Sequence, residues 1–307
     1  MKLIEPYVAI IPQVDPLIHI EKTGRTCYKS MSDFTHETAT KFFKGLVNSG
    51  HHSVLEHATF IFRVMPSCTP SSLIGNKYLN VTENYETWKN RTFVSGNLRA
   101  IKESNVIGLM IELERAYPEL GYYFNIDPHV RCTYDKSKSI SYQLISRQEF
   151  MSMNPNKAEI GAHLYTSIAF LTDRGVTHEM VRHRPASYSQ ESTRYCNYSH
   201  EKFGSELEFI KPATFDEWSD EERSIYIESL EQAEKAYMKL TESGLKAQFA
   251  RGVLPTDIRT RIIMTANHKE WEHFFNLRSL GTTGSPHPNM KKVADMAMKS
   301  YNEYNNF

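Results

Sequence analysis

Short runs of apolar residues recur along the chain and predict β-strands. They are rich in β-branched and aromatic side chains, the composition that suits a pleated sheet, and several are bounded by prolines or polar residues. The predicted strands are Tyr7–Ile11 and residues 58–64, 139–145 and 164–171.

Elsewhere apolar residues recur every three or four positions, which predicts amphipathic helices. Ser219 and Glu222 have the spacing of a capping box that begins one of them, and Ser243-Gly244 ends it. The other helices are predicted at residues 38–47, 96–117, 176–183 and 289–304.

A further helix is predicted behind Asn267, an N-cap residue with an acidic partner at Glu270. Its apolar face contains Trp271 and Phe274, and Arg278 follows at the same helical spacing. An arginine there either extends along the apolar surface to solvent or points inward and donates to a buried ligand.

The chain of 307 residues is long enough for one large domain or two small ones. Residues 65–160 are difficult to assign, and we interpret them as an insertion with its own structure rather than as a separate enzyme. We therefore predict a single domain, 1–307, that carries an insertion at about 65–160.

Charge and cysteine content narrow the class of protein. The 36 basic and 36 acidic side chains cancel, which weighs against a nucleic-acid-binding protein. No two of the four cysteines, Cys27, Cys68, Cys132 and Cys196, form a CxxC pair, so we expect reduced thiols in a cytoplasmic protein. No signal peptide or membrane-spanning run is evident, and no membrane partner is predicted.

Residues 182–194 concentrate candidate chemistry in a predicted ordered loop after the helix at 176–183. They contain three arginines, one histidine and three serines, which suit a phosphate or carboxylate ligand. The alternative is a solvated loop whose arginines pair with Glu179 and Glu191.

Two other segments invite simpler interpretations. The histidines of residues 50–57 suggest a metal, but their spacing is poor and HExxH is absent, so helix-end polar groups or cofactor contacts are favoured and no metal is predicted. Arg251, just before Gly252, could merely complement a helix C-terminus. GxGxxG, Walker A and GxSxG sequences are also absent, and no cysteine is followed by histidine.

Four ordered sequence blocks resemble the flavin-dependent thymidylate synthases. Arg182-His183-Arg184, followed after seven residues by Ser192, is similar to the RHR-x7-S signature of that family. Residues 50–57, 250–255 and 265–278 resemble its upstream flavin segment, its ARxxLP segment and its TxN…FxxLR segment. The blocks span both halves of the chain and leave the 65–160 region outside the match.

The resemblance implies a reaction and an assembly. Methylene from methylenetetrahydrofolate would pass to C5 of dUMP, with reduced FAD as the hydride donor and NADPH as the reductant of the flavin. The implied fold is α/β (α+β), a twisted and largely antiparallel sheet flanked by helices, in a homotetramer whose subunits share each site.

The resemblance also assigns roles by motif position. Arg278 would be the catalytic residue, a fixed cation at the uracil edge. The predicted FAD contacts are His51, Ser53, Glu56, Arg182, His183, Arg184, Gln190, Asn267, Lys269 and His273. The predicted dUMP contacts are Glu179, Arg182, Gln190, Glu191, Ser192, Thr193, Arg194, Arg251 and Arg278.

The chain departs from the family pattern where the pyrimidine would bind. Ser189 stands where the extended motif often has asparagine, Gln190 where many members have glutamate, and Glu179 where glutamine is common. Lys269 and His273 replace an arginine and an asparagine. A related enzyme that methylates UMP or hydroxymethylates dUMP, and a non-catalytic nucleotide- or nucleic-acid-binding protein, are the alternatives.

Overall fold

The computed structural model describes residues 1–30, 32–65, 73, 76, 78–84, 91–134, 140–194, 198 and 206–306. Cys68, Cys196 and the first residue of the strand predicted at 139–145 lie outside these residues, and Cys27 and Cys132 are free thiols.

Ten strands are described in this part of the chain. They are β1 Lys2–Ile4, β2 Tyr7–Ile11, β3 Thr59–Met65, β4 Asn80–Asn84, β5 Arg91–Asn97, β6 Ser141–Ile145, β7 Tyr165–Asp173, β8 Ser187–Gln190, β9 Glu208–Ile210 and β10 Arg259–Asn267. Two four-stranded sheets, ordered β2-β7-β10-β8 and β4-β5-β3-β6, are antiparallel throughout, and β1 and β9 form a parallel pair.

Thirteen helices are described in the same ranges. They are α1 Pro16–Gly24, α2 His36–Asn48, α3 Leu98–Ser104, α4 Ile107–Ala116, α5 Gly121–Phe124, α6 Pro128–Thr133, α7 Arg147–Ser152, α8 Lys157–His163, α9 Arg174–Met180, α10 Asp220–Glu242, α11 Ala247–Ala250, α12 His268–Arg278 and α13 Pro288–Asn305. Helices and largely antiparallel sheets together confirm the predicted fold class.

Helix starts follow the predicted caps. Ser219 and Glu222 form the capping box of α10, which ends at Ser243 with Gly244 in the left-handed region. The Asn267 side chain accepts a hydrogen bond from the Glu270 backbone N–H and so begins α12.

The helix predicted at 96–117 is two helices, α3 and α4, and it begins two residues later than predicted. Gly96 lies in β5, where a Cβ atom would come 2.4 Å from Cδ2 of Leu79 and would force this buried side chain to move. Asn105 then adopts a left-handed conformation with φ 55° and separates α3 from α4.

Next to the candidate site, the structure differs from two more predictions. The helix α9 ends at Met180, so His183 lies beyond it rather than in its last turn. The predicted loop contains the strand β8, which pairs with β10 from Ser187 to Gln190. The sequence analysis did not predict β10, although this strand lies between β7 and β8.

The region proposed as an insertion packs into the rest of the molecule. Its strands β5 and β6 pair with the two sides of β3. Leu98, Leu109 and Tyr123 share one buried apolar cluster with Leu17 of α1 and Phe43 of α2. This burial builds the second sheet onto the helices that precede it.

Candidate functional site

Arg278 is the centre of a charged cluster formed by two separate segments. Its Nη1 atom donates to Oε2 of Glu179 at 2.6 Å, and its Nε atom donates to Nε2 of His183 at 2.9 Å. The side chains of Arg278 and Glu179 are 24% and 36% exposed, so the ion pair is accessible from solvent. A ligand that reached this place would meet a guanidinium already oriented by two partners.

Packing of α12 fixes the position of Arg278. Trp271, Phe274 and Phe275 on one face of this helix are buried against Phe170 of β7 and Met290 of α13. Such a face cannot rotate without exposing aromatic surface to water. Arg278, the last residue of α12, is therefore held at the edge of the apolar core.

The neighbouring imidazole is neutral at physiological pH. Burial, together with the positive charge of Arg278 and the nearby His273, lowers the pKa of His183 to about 4. Because Nε2 accepts from Arg278, the ring proton is on Nδ1. His183 thus acts as an acceptor that orients the guanidinium and adds no second cation.

The two faces of β8 connect different parts of the site. Tyr188 donates from its hydroxyl to the carbonyl oxygens of Met180 and His183, both at 2.8 Å. Gln190 donates to Oγ1 of Thr177 at 2.9 Å. Alternate residues of a strand point to opposite faces, so this face of β8 supports α9 and the segment behind it.

The opposite face of β8 holds the segment that contains the sequence-predicted histidines. Ser187 donates to Oε2 of Glu56 at 3.2 Å, and the Ser189 hydroxyl is 2.9 Å from Nε2 of His57. Burial lowers the pKa of His57 to about 3, so this ring is neutral and bridges Ser189 to the Thr265 hydroxyl, 2.7 Å from Nδ1. Residues 52–57 and β8 are therefore fastened together by side chains.

A second group of predicted ligands surrounds the end of β8. Arg251 donates to the Thr193 hydroxyl at 3.1 Å, and the backbone N–H of Ser192 donates to the carbonyl oxygen of Cys27 at 3.1 Å. Arg194 is exposed, and its backbone N–H donates to the Ser192 hydroxyl. Two arginines and short hydroxyl groups are thus available near one chain segment, as a phosphate requires.

Glu191 is buried, and other residues already bond its carboxylate. One oxygen accepts from Arg259 at 2.8 Å and the other from the Tyr198 hydroxyl at 3.0 Å. Glu179 pairs with Arg278, so the carboxylates expected to neutralise the 182–194 arginines pair with arginines outside that loop. This contradicts the interpretation as a merely solvated, internally paired loop.

Most of the remaining predicted residues are exposed to solvent, and the others are buried. Arg182 and Arg184 are exposed on either side of the buried His183, and His51, Ser53, Lys269 and His273 are also exposed. Asn267 is buried and its side chain caps α12. Because α12 rises about 1.5 Å per residue, Lys269 is separated from Arg278 by roughly 13 Å along the helix.

Several contact residues were missed by the sequence analysis. Arg259 belongs to β10, whose alternation was not recognised, and Thr177 gave no signal beyond its place on the predicted helix. Cys27 contributes a backbone carbonyl, which no side-chain motif can indicate. For His57, one of the histidines of residues 50–57, a helix-end or cofactor contact was favoured over a metal, whereas its two nitrogens contact hydroxyl groups of the protein.

Groups of metal ligands and membrane-spanning helices are both absent from the described residues. Within the described ranges, no three His, Cys, Asp or Glu side chains are grouped as metal ligands would be. No helix of the described chain combines the length and apolar character needed to cross a membrane.

Comparison with known proteins places the same segments in a family. The model of the family described as "Thymidylate synthase complementing protein" matches residues 10–72 and 135–303. Residues 73–134 fall between the two matched parts, inside the region that we interpret as an insertion.

Similar proteins are named flavin-dependent thymidylate synthases. The protein of Geobacter sulfurreducens is 37% identical over 105 residues, which cover 34% of this chain and 43% of that protein. The protein of Clostridium tetani is 32% identical over 161 residues, which cover 47% of this chain and 62% of that protein. The alignments therefore span less than two thirds of the length of these relatives.

A crystal structure of a UMP/dUMP methylase, PolB from Streptomyces cacaoi bound with 5-Br dUMP, aligns over 99% of this chain and 93% of its own. The TM-score is 0.41 and the sequence identity 13%, so the alignment supports no detail of the site. The family model, by contrast, matches more than half of the chain, including every predicted site residue. The protein belongs to the family of thymidylate synthase complementing proteins.

Proposed function

We propose that the protein is a flavin-dependent thymidylate synthase. It converts dUMP to dTMP with methylenetetrahydrofolate as the carbon donor, and NADPH reduces its FAD. Membership of the family and the names of the matched relatives support this reaction class. Localisation in the cytoplasm and assembly as a homotetramer remain predictions from the sequence.

The observation that carries the proposal is the orientation of Arg278 between Glu179 and His183. A fixed guanidinium at the edge of uracil favours the anionic ring, deprotonated at N3, and so raises the nucleophilicity of C5. His183 stays neutral and adds no charge, so the cation of Arg278 is directed at the substrate. The ion pair between Glu179 and Arg278 would have to loosen when the pyrimidine binds, so that the guanidinium can contact the ring.

The exposed residues fit a flavin dinucleotide in their chemistry. Arg182 and Arg184 flank the buried His183, and Ser53 is exposed on a segment fastened to β8. Guanidinium and hydroxyl donors match the pyrophosphate of FAD. When bound and reduced, FAD supplies the hydride that the side chains of this protein cannot provide.

Arg251, Arg194 and Ser192 would hold the phosphate of dUMP. The bond from Arg251 to Thr193 keeps one guanidinium against the segment that follows β8. Glu191, itself buried, supports this segment through its bond to Arg259. We propose that Glu191 positions the segment and does not itself contact the nucleotide.

Assembly as a homotetramer with shared sites is proposed together with the reaction, because the family resemblance implies it. Lys269, a predicted FAD contact, and Arg278, a predicted dUMP contact, lie roughly 13 Å apart along α12. The helix therefore has length enough to contact the flavin near one end and the nucleotide near the other.

The experiment is a spectrum followed by an assay. The purified protein should be yellow, with the absorbance of bound FAD, and should form dTMP from dUMP when supplied with NADPH and methylenetetrahydrofolate. A protein that takes up no FAD, or that releases no dTMP from added dUMP while fully loaded, contradicts the proposal.

A second function is favoured by the carboxylate of Glu179, which contacts Arg278 directly. A carboxylate accepts hydrogen bonds and partly neutralises the arginine, which changes the selection among pyrimidines. The related activity would be methylation of UMP or hydroxymethylation of dUMP. Product analysis with dUMP, UMP and dCMP distinguishes the two, because dTMP as the sole efficient product excludes the second function.

A further inference from the structure

A cavity of about 340 Å³ lies at the junction of the two four-stranded sheets and shares no lining residue with the Arg278 cluster. Phe60 of β3 lines it from the second sheet, and Tyr165 at the start of β7 lines it from the first. The cavity is also lined by Gln13, Tyr117, Arg147 and Tyr304. None of these residues belongs to the predicted FAD or dUMP contacts.

Arg147 brings a positive charge to this cavity without a carboxylate partner among the described residues. Its guanidinium donates to the backbone carbonyl oxygen of Tyr165 at 3.3 Å and to the side-chain oxygen of Asn305. Both acceptors are neutral. Burial lowers the pKa of Arg147 below its ordinary value, as expected for a cation that is removed from water without a matching anion.

The acidic residue Glu149 also lines the cavity but is engaged elsewhere. Its Oε2 atom accepts from the backbone N–H of Ser146 at 2.6 Å in the capping box of α7. His163, another lining residue, is neutral because burial lowers its pKa to about 3. Its nitrogens contact the hydroxyl groups of Thr82 and Ser95, each at 2.7 Å. Glu149 is exposed and remains an anion, because its bonds to Ser146 lower its pKa, but no carboxylate of the described lining forms an ion pair with Arg147.

One aromatic ring lies against this cation, and three more line the cavity. The Arg147 guanidinium carbon lies 4.9 Å from the centre of the Tyr304 ring, and Phe60, Tyr117 and Tyr165 contribute further rings to the wall. Volumes of several hundred Å³ with apolar walls and a few placed polar groups are typical of small-molecule sites. The donor is a planar fork, which suits a carboxylate or phosphate oxygen pair.

We propose that this cavity binds a small organic anion that carries a planar ring, with its carboxylate or phosphate on Arg147 and its ring among Phe60, Tyr117 and Tyr304. Tyr117 lies between the two parts of the chain that the family model matches, whereas Arg147 lies within the second part, so the site combines residues from both. A bound anion would connect the second sheet to the first. The site is separate from the proposed nucleotide site.

Isothermal titration calorimetry with benzoate and with phenyl phosphate tests the proposal, with benzyl alcohol as the neutral probe. We expect saturable binding of at least one anion to the wild-type protein and much weaker binding of the alcohol. Arg147→Met should lower the affinity for the anion about tenfold to a hundredfold, the effect of losing hydrogen bonds from a charged donor. Benzoate and phenyl phosphate separate a carboxylate ligand from a phosphate ligand.

Arg223→Met is the matched control. Arg223 also donates to neutral carbonyl oxygens, those of Phe215 and Asp216, and lies over the Phe215 ring, but it does not line the cavity and pairs in addition with the exposed Asp220 at 3.5 Å. The Arg223→Met variant should bind the anion with the affinity of the wild type. Leu144→Trp fills the cavity while retaining Arg147, and should abolish binding even if Arg147→Met fails to fold.

Three results would overturn the proposal. The first is the absence of saturable binding of either anion at millimolar concentration. The second is unchanged binding by folded Arg147→Met or Leu144→Trp. The third is displacement of the anion by saturating dUMP, which would assign it to the nucleotide site.

Discussion

At the scale of single residues, the charge on the candidate site depends on which carboxylate pairs with which arginine. Glu179 pairs with Arg278, whereas the buried Glu191 pairs with the half-buried Arg259. The first pair is accessible and available to change when a ligand binds. The second supports the chain segment behind β8.

Replacing Arg278 by alanine should leave FAD bound but reduce methyl transfer about 10²- to 10³-fold, the usual effect of removing one oriented donor from a reacting group. Arg278→Lys should restore little, because a lysine lacks the planar fork that contacts Glu179 and His183 together. Flavin absorbance and single-turnover dTMP formation measure the two effects. Wild-type turnover by Arg278→Ala would contradict the role assigned to this residue.

His57 makes folding sensitive to acid. Its folded pKa of about 3 is below the ordinary histidine value, so the unfolded chain binds its proton more readily and the stabilisation is fully present only above about pH 6.5. That stabilisation decreases as the pH falls toward 3. We expect this histidine to account for about 2 kcal/mol of the stability lost between pH 7 and pH 5.

Urea unfolding at the two pH values measures this contribution. His57→Gln, whose amide can still bond Ser189 and Thr265, should have a smaller loss between pH 7 and pH 5 than the wild type. The exposed His178→Gln should retain the wild-type difference. An identical pH difference in His57→Gln would show that His57 does not contribute.

At the scale of elements, β8 joins the two sequence blocks that carry most of the predicted ligands. It was expected to be a loop because its residues are polar and it follows Pro185. Pairing with β10 makes it a strand, and pairing partners far apart in sequence leave no local signal. The helix α12 was predicted because its cap and apolar spacing are local features.

The two serines of β8 should differ in their contribution to stability. Ser189→Ala leaves Nε2 of the fully buried His57 without this partner and should cost about 2 kcal/mol. Ser187→Ala removes a longer, part-buried bond to Glu56 and should cost about 1 kcal/mol. Chemical unfolding measures both free energies, and FAD titration should show the larger weakening for Ser189→Ala. A greater loss in Ser187→Ala would contradict the proposed fastening of residues 52–57.

At the scale of the whole molecule, an ion pair connects the second sheet to the helix before β7. Arg91 of β5 donates from Nε and Nη2 to the two carboxylate oxygens of Glu159 in α8, at 2.8 and 2.5 Å. Both side chains are buried, at 6% and 1% exposure. Loss of one partner would leave a buried charge without its counterion.

Glu159→Gln should therefore lower the free energy of unfolding by about 3–5 kcal/mol. Glu112→Gln removes the partner of Arg115, an ion pair on the surface of α4, and should cost less than about 1 kcal/mol. Equilibrium unfolding in urea compares the two variants with the wild type. Equal losses would mean that the Arg91 pair does not hold the second sheet in place.

The sequence by itself determined the features that depend on neighbouring residues: the caps of α10 and α12, the apolar face that ends at Arg278, and the strands β2, β3 and β7. Motif spacing also identified the candidate site residues, because the functional group of a side chain can be read directly from the sequence. Only the tertiary structure decided that β10 lies between β7 and β8, that Glu179 pairs with Arg278 and Glu191 with Arg259, and that Arg147 faces a cavity. These features depend on contacts between residues distant in the chain, and hydrophobic periodicity reports only which side of an element is buried, not which partner covers it.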